Sequence, residues 1–247
     1  MDNTEHTRKV QEQLKKHIAD LGELASTLGN WPDYDDGVFY NKPSAKIAKP
    51  AIRKDFLLKQ CKNKKVLHFG FADSPFTAER IKSGELLHID IQKGAKEVWG
   101  ADIDQEAIDT YRSVTGDEKN WTLDICEPIK NIGQYNKGFD VILFGEILEH
   151  LMSPGEALKN LRSLCELNDA ELIITTPNAF TSVGFLAALI GNEVVHPEHY
   201  YYYSPVTLER LIRDCGFKTV EISFYAGSNS TTSPGLTFPG LIARCKA

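Results

Sequence analysis

The sequence predicts an α/β protein with a doubly wound, mostly parallel sheet. One antiparallel strand from a C-terminal hairpin and an N-terminal helical extension complete the expectation. Three observations carry it. From residue 66 onward, short apolar runs at 66–69, 97–102, 121–123, 140–144 and 171–176 alternate with amphipathic stretches of helical spacing. Each run has the length of a strand buried on both faces, and such alternation implies right-handed crossovers in a parallel sheet. At the end of the chain, runs at 218–225 and 236–245 flank a turn-rich stretch at 227–235. A short connection of that kind joins antiparallel strands.

The elements follow in order. Val10, Leu14, Ile18, Leu21, Ala25 and Leu28 recur at helical spacing, and Gly29-Asn30 can end that helix. An aromatic and acidic stretch at 31–40 and a basic one at 42–65 come next. Residues 1–60 are therefore set apart as a helical, lid-like extension of a domain at 61–247. Within that domain, the apolar segment 179–190 reads as a lid or pocket wall, or equally as core packing. Ser204-Pro205 starts a helix with a capping hydroxyl and a proline at its first position, and Gly216 stops it.

Composition narrows the function. Residues 1–65 hold 13 Lys/Arg against 9 Asp/Glu, while residues 66–247 hold 15 against 25. A body carrying −10 argues against gripping a phosphate backbone, so nucleic acid is not the expected partner. No apolar run approaches the roughly 20 residues that span a bilayer, and the opening MDNTEHTRKVQEQ has no apolar signal stretch. The five cysteines form no C-x-x-C. A disulfide framework or zinc knuckle is not expected, and a reducing cytoplasm is the expected location.

In a doubly wound sheet, ligands bind beyond the carboxyl ends of the strands, where strand order reverses. The first strand of the alternating region ends at Gly70, which lets the backbone approach a ligand. The second ends on Asp102, whose carboxylate can accept both hydroxyls of a ribose. Asp104 suits the helix cap that follows, leaving Asp102 for the ligand. The third ends on Asp124, placed for the exocyclic amine of adenine. The loop after Phe69 lacks G-x-G-x-x-G, so a pyrophosphate-binding dehydrogenase is disfavoured.

The runs KKVLHFGFADS, VWGADIDQEAI, NWTLDI, FDVILFGEILEHL and ELIITTPNAF together resemble class I S-adenosylmethionine-dependent methyltransferases over about residues 60–225. The resemblance implies a Rossmann-like fold. It places S-adenosylmethionine against Phe69, Gly70, Phe71, Asp102, Ile103, Asp124, Ile125 and Gly145, with S-adenosylhomocysteine as product. Where this chain has His68, the family usually has an acid. The variant loop Gly70-Phe71-Ala72-Asp73-Ser74, with Leu87-His88 downstream, most resembles bacterial methyltransferases of glycan and surface-polysaccharide biosynthesis.

Methyl transfer from a sulfonium is an in-line displacement, which needs alignment, exclusion of water and, for a hydroxyl acceptor, a base. Glu146, Glu149 and His150 stand at i, i+3 and i+4, so a helix would present them on one face. That face has three readings: helix-start electrostatics, general-base work by His150, or a divalent-metal site. The last rests on resemblance to ubiquinone-pathway O-methyltransferases and small-RNA 3′-end methyltransferases; it is not the favoured one, and no metal ligand is assigned. His199, ahead of the Ser-Pro helix start, is expected near the acceptor in preference to His196. The catalytic candidates are thus His150, Glu146 and His199. The expected acceptor is a small molecule, most readily its hydroxyl. The alternatives are an N-methyltransferase and a non-catalytic nucleoside-binding module. A homodimer seam is one reading of the N-terminal helix.

Overall fold

The computed structural model describes Lys16 and residues 46–226 and 238–247. The N-terminal helix and the turn at 227–235 otherwise lie outside the described residues. In chain order the elements are β1 (Lys46–Ile52), α1 (Arg53–Cys61), β2 (Lys65–Phe69), α2 (Thr77–Ser83), α3 (Leu87–Gln92), β3 (Glu97–Asp102), α4 (Gln105–Thr115), β4 (Asn120–Thr122), β5 (Val141–Gly145), α5 (Pro154–Asn168), β6 (Glu171–Pro177), α6 (Ser182–Leu189), α7 (Pro205–Asp214), β7 (Thr219–Ala226) and β8 (Gly240–Lys246). Single turns of 3-10 helix lie at Ile132–Tyr135 and Leu148–His150.

The strands form one sheet in the order β1-β7-β8-β6-β5-β2-β3-β4. β8 runs antiparallel to both of its neighbours, and every other pairing is parallel. This is the mixed sheet that the sequence predicts. Strand order reverses between β2 and β5, which opens the crevice at their carboxyl ends.

Pleating divides the strand residues between two buried layers. Leu67, Phe69, Ile142 and Phe144 face a core closed by Leu158, Leu161 and Leu164 of α5 and by Leu208 and Ile212 of α7. Val66, Val141, Leu143 and Ile173 face the opposite layer, with Leu57 and Cys61 of α1 and Ile91 of α3. A third cluster, Phe71, Ala72, Leu86, Ile108 and Tyr111, supports the loop after β2. Local signals act as expected: Asp104 caps α4 by accepting from the amides of Glu106 and Ala107. Ser204 and Thr207 form a reciprocal capping box ahead of Pro205.

Two elements differ from expectation. The stretch 42–65, read only as basic, contains β1 and α1, so residues 46–60 join the same sheet and core as the domain assigned to 61–247. β1 contains Pro50, which removes a ladder donor, and an edge position tolerates that loss. The segment 179–190 contains α6, none of whose residues is buried among the described residues, so core packing is not its role. No helix among the described residues is long and apolar enough to cross a membrane.

Candidate active site

The crevice begins where β2 ends. Gly70 adopts a left-handed conformation, with φ of 65°, and its amide donates to the Ala101 carbonyl at 2.8 Å. A Cβ there would lie 2.8 Å from the Ile147 side chain, so both conformation and space demand glycine. The Phe71 ring turns inward, 4.8 Å from His88 and 5.1 Å from Tyr111 between ring centroids. It fills the space beside Gly100, where a Cβ would come within 2.5 Å of the ring. Phe69 is likewise buried, against Phe144. Both phenylalanines therefore offer the crevice only backbone.

Asp102 is 8% exposed at the end of β3. Its Oδ2 accepts from the Ala72 amide and its Oδ1 from the Asp104 amide, each at 3.1 Å. Burial pushes its pKa up, and these amides oppose the shift. A carboxylate offers about four lone-pair sites, so it can brace the loop and still accept from a ligand. Next to it, Ile103 is an apolar side chain left 65% exposed. Asp124 accepts from the Cys126 amide at 2.9 Å, while Ile125 is buried in the main core. The Leu123 amide donates to the Asp102 carbonyl, tying these two strand ends together.

Across the crevice, the E-x-x-E-H residues do not share a face. Glu146 has a left-handed φ of 56°, and the turn at 148–150 is 3-10 rather than α-helical. The cause lies in the sheet: the Glu146 amide donates to Thr175 at 2.7 Å, which keeps β5 and β6 joined past Gly145. Glu146 accepts from the Tyr225 hydroxyl at 3.1 Å and pairs with Arg53 Nε at 3.4 Å. Arg53 also donates to Thr175 Oγ1 at 3.0 Å. Gly145 lets this guanidinium pass, since a Cβ there would lie 2.9 Å from Arg53 Nη2. Burial, then the Glu146 charge, pushes the Tyr225 hydroxyl far above its ordinary value.

Glu149 is 1% exposed. Thr176 Oγ1 donates to its Oε2 at 2.9 Å, and its Oε1 has no partner. Burial, followed by the charge of Glu146, raises its pKa to about 8, so the carboxyl is protonated at neutral pH. His150 instead meets His199 at 4.5 Å and His196 at 5.8 Å between ring centroids. Burial holds both His150 and His199 below the ordinary imidazole value.

Of the catalytic candidates, His150 and His199 are thus brought together, and Glu146 belongs to the Arg53 and Tyr225 group. His196, set aside in the sequence in favour of His199, stands beside both. Arg53 and Tyr225 were not singled out at all. Arg53 lies in a stretch legible only by its charge, and Tyr225 at the end of an ordinary apolar strand.

A family model described as a methyltransferase domain matches residues 45–222. The chain belongs to this methyltransferase family. Its methyl donor is S-adenosylmethionine and its product S-adenosylhomocysteine. No curated protein matches the methyltransferase in sequence. Among solved structures it is similar to the small RNA methyltransferase HEN1, with a TM-score of 0.56 at 17% identity over 78% of this chain and 24% of that one. It is also similar to the CMeT domain of the citrinin polyketide synthase, with a TM-score of 0.51 at 13% identity over 74% and 46%. A third similar structure is described as an S-adenosylmethionine-dependent methyltransferase from Listeria monocytogenes, with a TM-score of 0.50 at 15% identity over 78% and 98%. The methyltransferase thus spans a quarter of the first of these chains and under half of the second. At these identities the likeness is one of fold.

Proposed function

We propose that the protein methylates a hydroxyl of a small-molecule acceptor such as a sugar, a surface-glycan precursor or an aromatic metabolite. The residues at the strand ends fit the donor. Gly70 takes a left-handed turn at the end of β2, and the Asp102 carboxylate stands at the end of β3. In this reading the backbone at 69–71 and at Gly145 receives the methionine part. Asp102 accepts from the ribose, and Ile103, Asp124 and Ile125 bracket the adenine. When bound, S-adenosylmethionine supplies an electrophilic methyl group on a sulfonium.

The observation that carries the hydroxyl reading is the imidazole face past the end of β5. There His150 and His199 lie 4.5 Å apart between ring centroids. Two basic side chains next to the crevice suit an acceptor whose proton must leave before or during transfer. Glu146 is held in place on the same side by Arg53 and Tyr225. The acidic body favours a small acceptor over RNA.

Methyl-labelled S-adenosylmethionine, offered with sugars, phenols, amines and a short RNA, tests this. Label is expected in an ether or glycoside methyl group. His150→Ala is expected to lower kcat by about 100-fold or more. Label found only in an amine or in RNA overturns the proposal.

A further inference from the structure

We propose that His150, His196 and His199 form a binding site for a borderline divalent cation of the Zn2+ type. One ligand nitrogen from each of the three lies within 4.8 Å of the others. Nitrogens sharing one tetrahedral cation stand about 3.4 Å apart. Closing the triad therefore takes a shift of about 1 Å, and His196 sits on an exposed turn that can supply it. That turn is already shaped around the cluster. The His199 amide donates to the His196 carbonyl at 3.0 Å, and the His196 amide donates to the Tyr202 hydroxyl at 3.3 Å.

Two further observations point to a cation. His199 Nδ1 is buried without a hydrogen-bond partner, a cost that ligation removes. The Glu198 carboxylate lies 3.8 Å from His150 Nδ1, so an anionic side chain adjoins the three imidazoles.

The donor set selects the metal. Imidazoles alone suit Zn2+, Co2+, Ni2+ or Cu2+, whereas Mg2+ and Ca2+ require oxygen ligands. Neither acid of E-x-x-E-H belongs to this group of ligand atoms: Glu146 is held by Arg53 and Tyr225, and Glu149 is buried with Oε2 on Thr176 and Oε1 unpartnered. The cation is thus held by three histidines and leaves a coordination position open. The binding stands on these side chains. Only its use, to hold an acceptor oxygen next to the donor and lower its pKa in place of a free imidazole base, rests on the proposed methyl transfer.

Full-length protein freed of metal by a chelator is titrated with Zn2+ by calorimetry, and with Co2+ by its visible absorption. A single saturable site is expected, with Co2+ bands of the tetrahedral kind. His196→Ala and His199→Ala are each expected to weaken Zn2+ binding by at least about tenfold. Glu146→Gln and Glu149→Gln are expected to leave it within about twofold. His196 is exposed, so its variant tests the ligand without disturbing the core, and an unchanged melting temperature in the chelated state verifies this. The absence of a saturable site in the wild type overturns the proposal. So does undiminished binding in folded His196→Ala, or loss of binding in Glu146→Gln. S-adenosylhomocysteine titrated into the same samples separates the two claims, because its failure to bind overturns the donor reading and leaves the cation result standing.

Discussion

At the scale of single residues, the account depends on side chains placed so that backbone can serve the ligand. Gly100 is the clearest case, because its missing Cβ is the space that Phe71 occupies beneath the Gly70 loop. Gly100→Ala forces an aromatic ring aside in a packed cluster and is expected to cost about 1–3 kcal/mol. It is also expected to weaken S-adenosylhomocysteine binding, because the loop rides on that ring. Gly133→Ala meets nothing within 4 Å and serves as the control, expected to change stability by less than about 0.5 kcal/mol. Denaturant unfolding of both variants checks this, and equal stabilities contradict it. The capping role of Asp104 was legible in the sequence, because the cap position is fixed by its distance from the helix that follows. The inward turn of Phe71 was not, since an aromatic after a glycine carries no sign of which side of the loop it takes.

At the scale of elements, β2 and α3 are joined by a buried histidine pair. The His68 and His88 Nδ1 atoms lie 3.2 Å apart, so one carries the shared proton and the other accepts it. Burial lowers both pKa values, that of His88 to about 3, against an ordinary value of 6.5. Between those limits the unfolded chain binds protons that the folded chain refuses. Stability is therefore full above about pH 6.5 and falls as the pH drops toward 3, by on the order of 1 kcal/mol per pH unit for His88, with His68 acting in the same direction. Melting temperatures across this range are expected to fall more gently in the double variant His68→Val with His88→Phe. An identical slope in wild type and variant contradicts this. At the same scale, the E-x-x-E-H spacing suggested an α-helix, but the sheet prevailed. Extending the β5–β6 pairing through the Glu146 amide puts that residue in the left-handed region and breaks the i, i+3, i+4 face. Spacing reports local preference only, and this backbone conformation is set by a strand distant in sequence.

At the scale of the whole molecule, alternation of apolar runs sufficed to show the doubly wound sheet, and the turn-rich stretch between the last two runs its antiparallel strand. β1 escaped because its Pro50 and lysines read as a basic connection, and only pairing with β7 makes it a strand. The crevice at the strand ends was legible because this topology opens there. The acceptor side was less so, because it is assembled from β1–α1, the turn after β5 and the loop before α7. Arg53, Glu146 and Tyr225 come from three distant parts of the chain, as do the halves of the histidine cluster. The central claim is that S-adenosylmethionine lies across the ends of β2, β3 and β4 with Asp102 as its ribose acceptor. Calorimetric titration of S-adenosylhomocysteine into wild-type protein and Asp102→Ala, each shown to be folded, tests it most directly. The prediction is saturable binding that the substitution weakens by at least about tenfold, and undiminished affinity in the folded variant would contradict it.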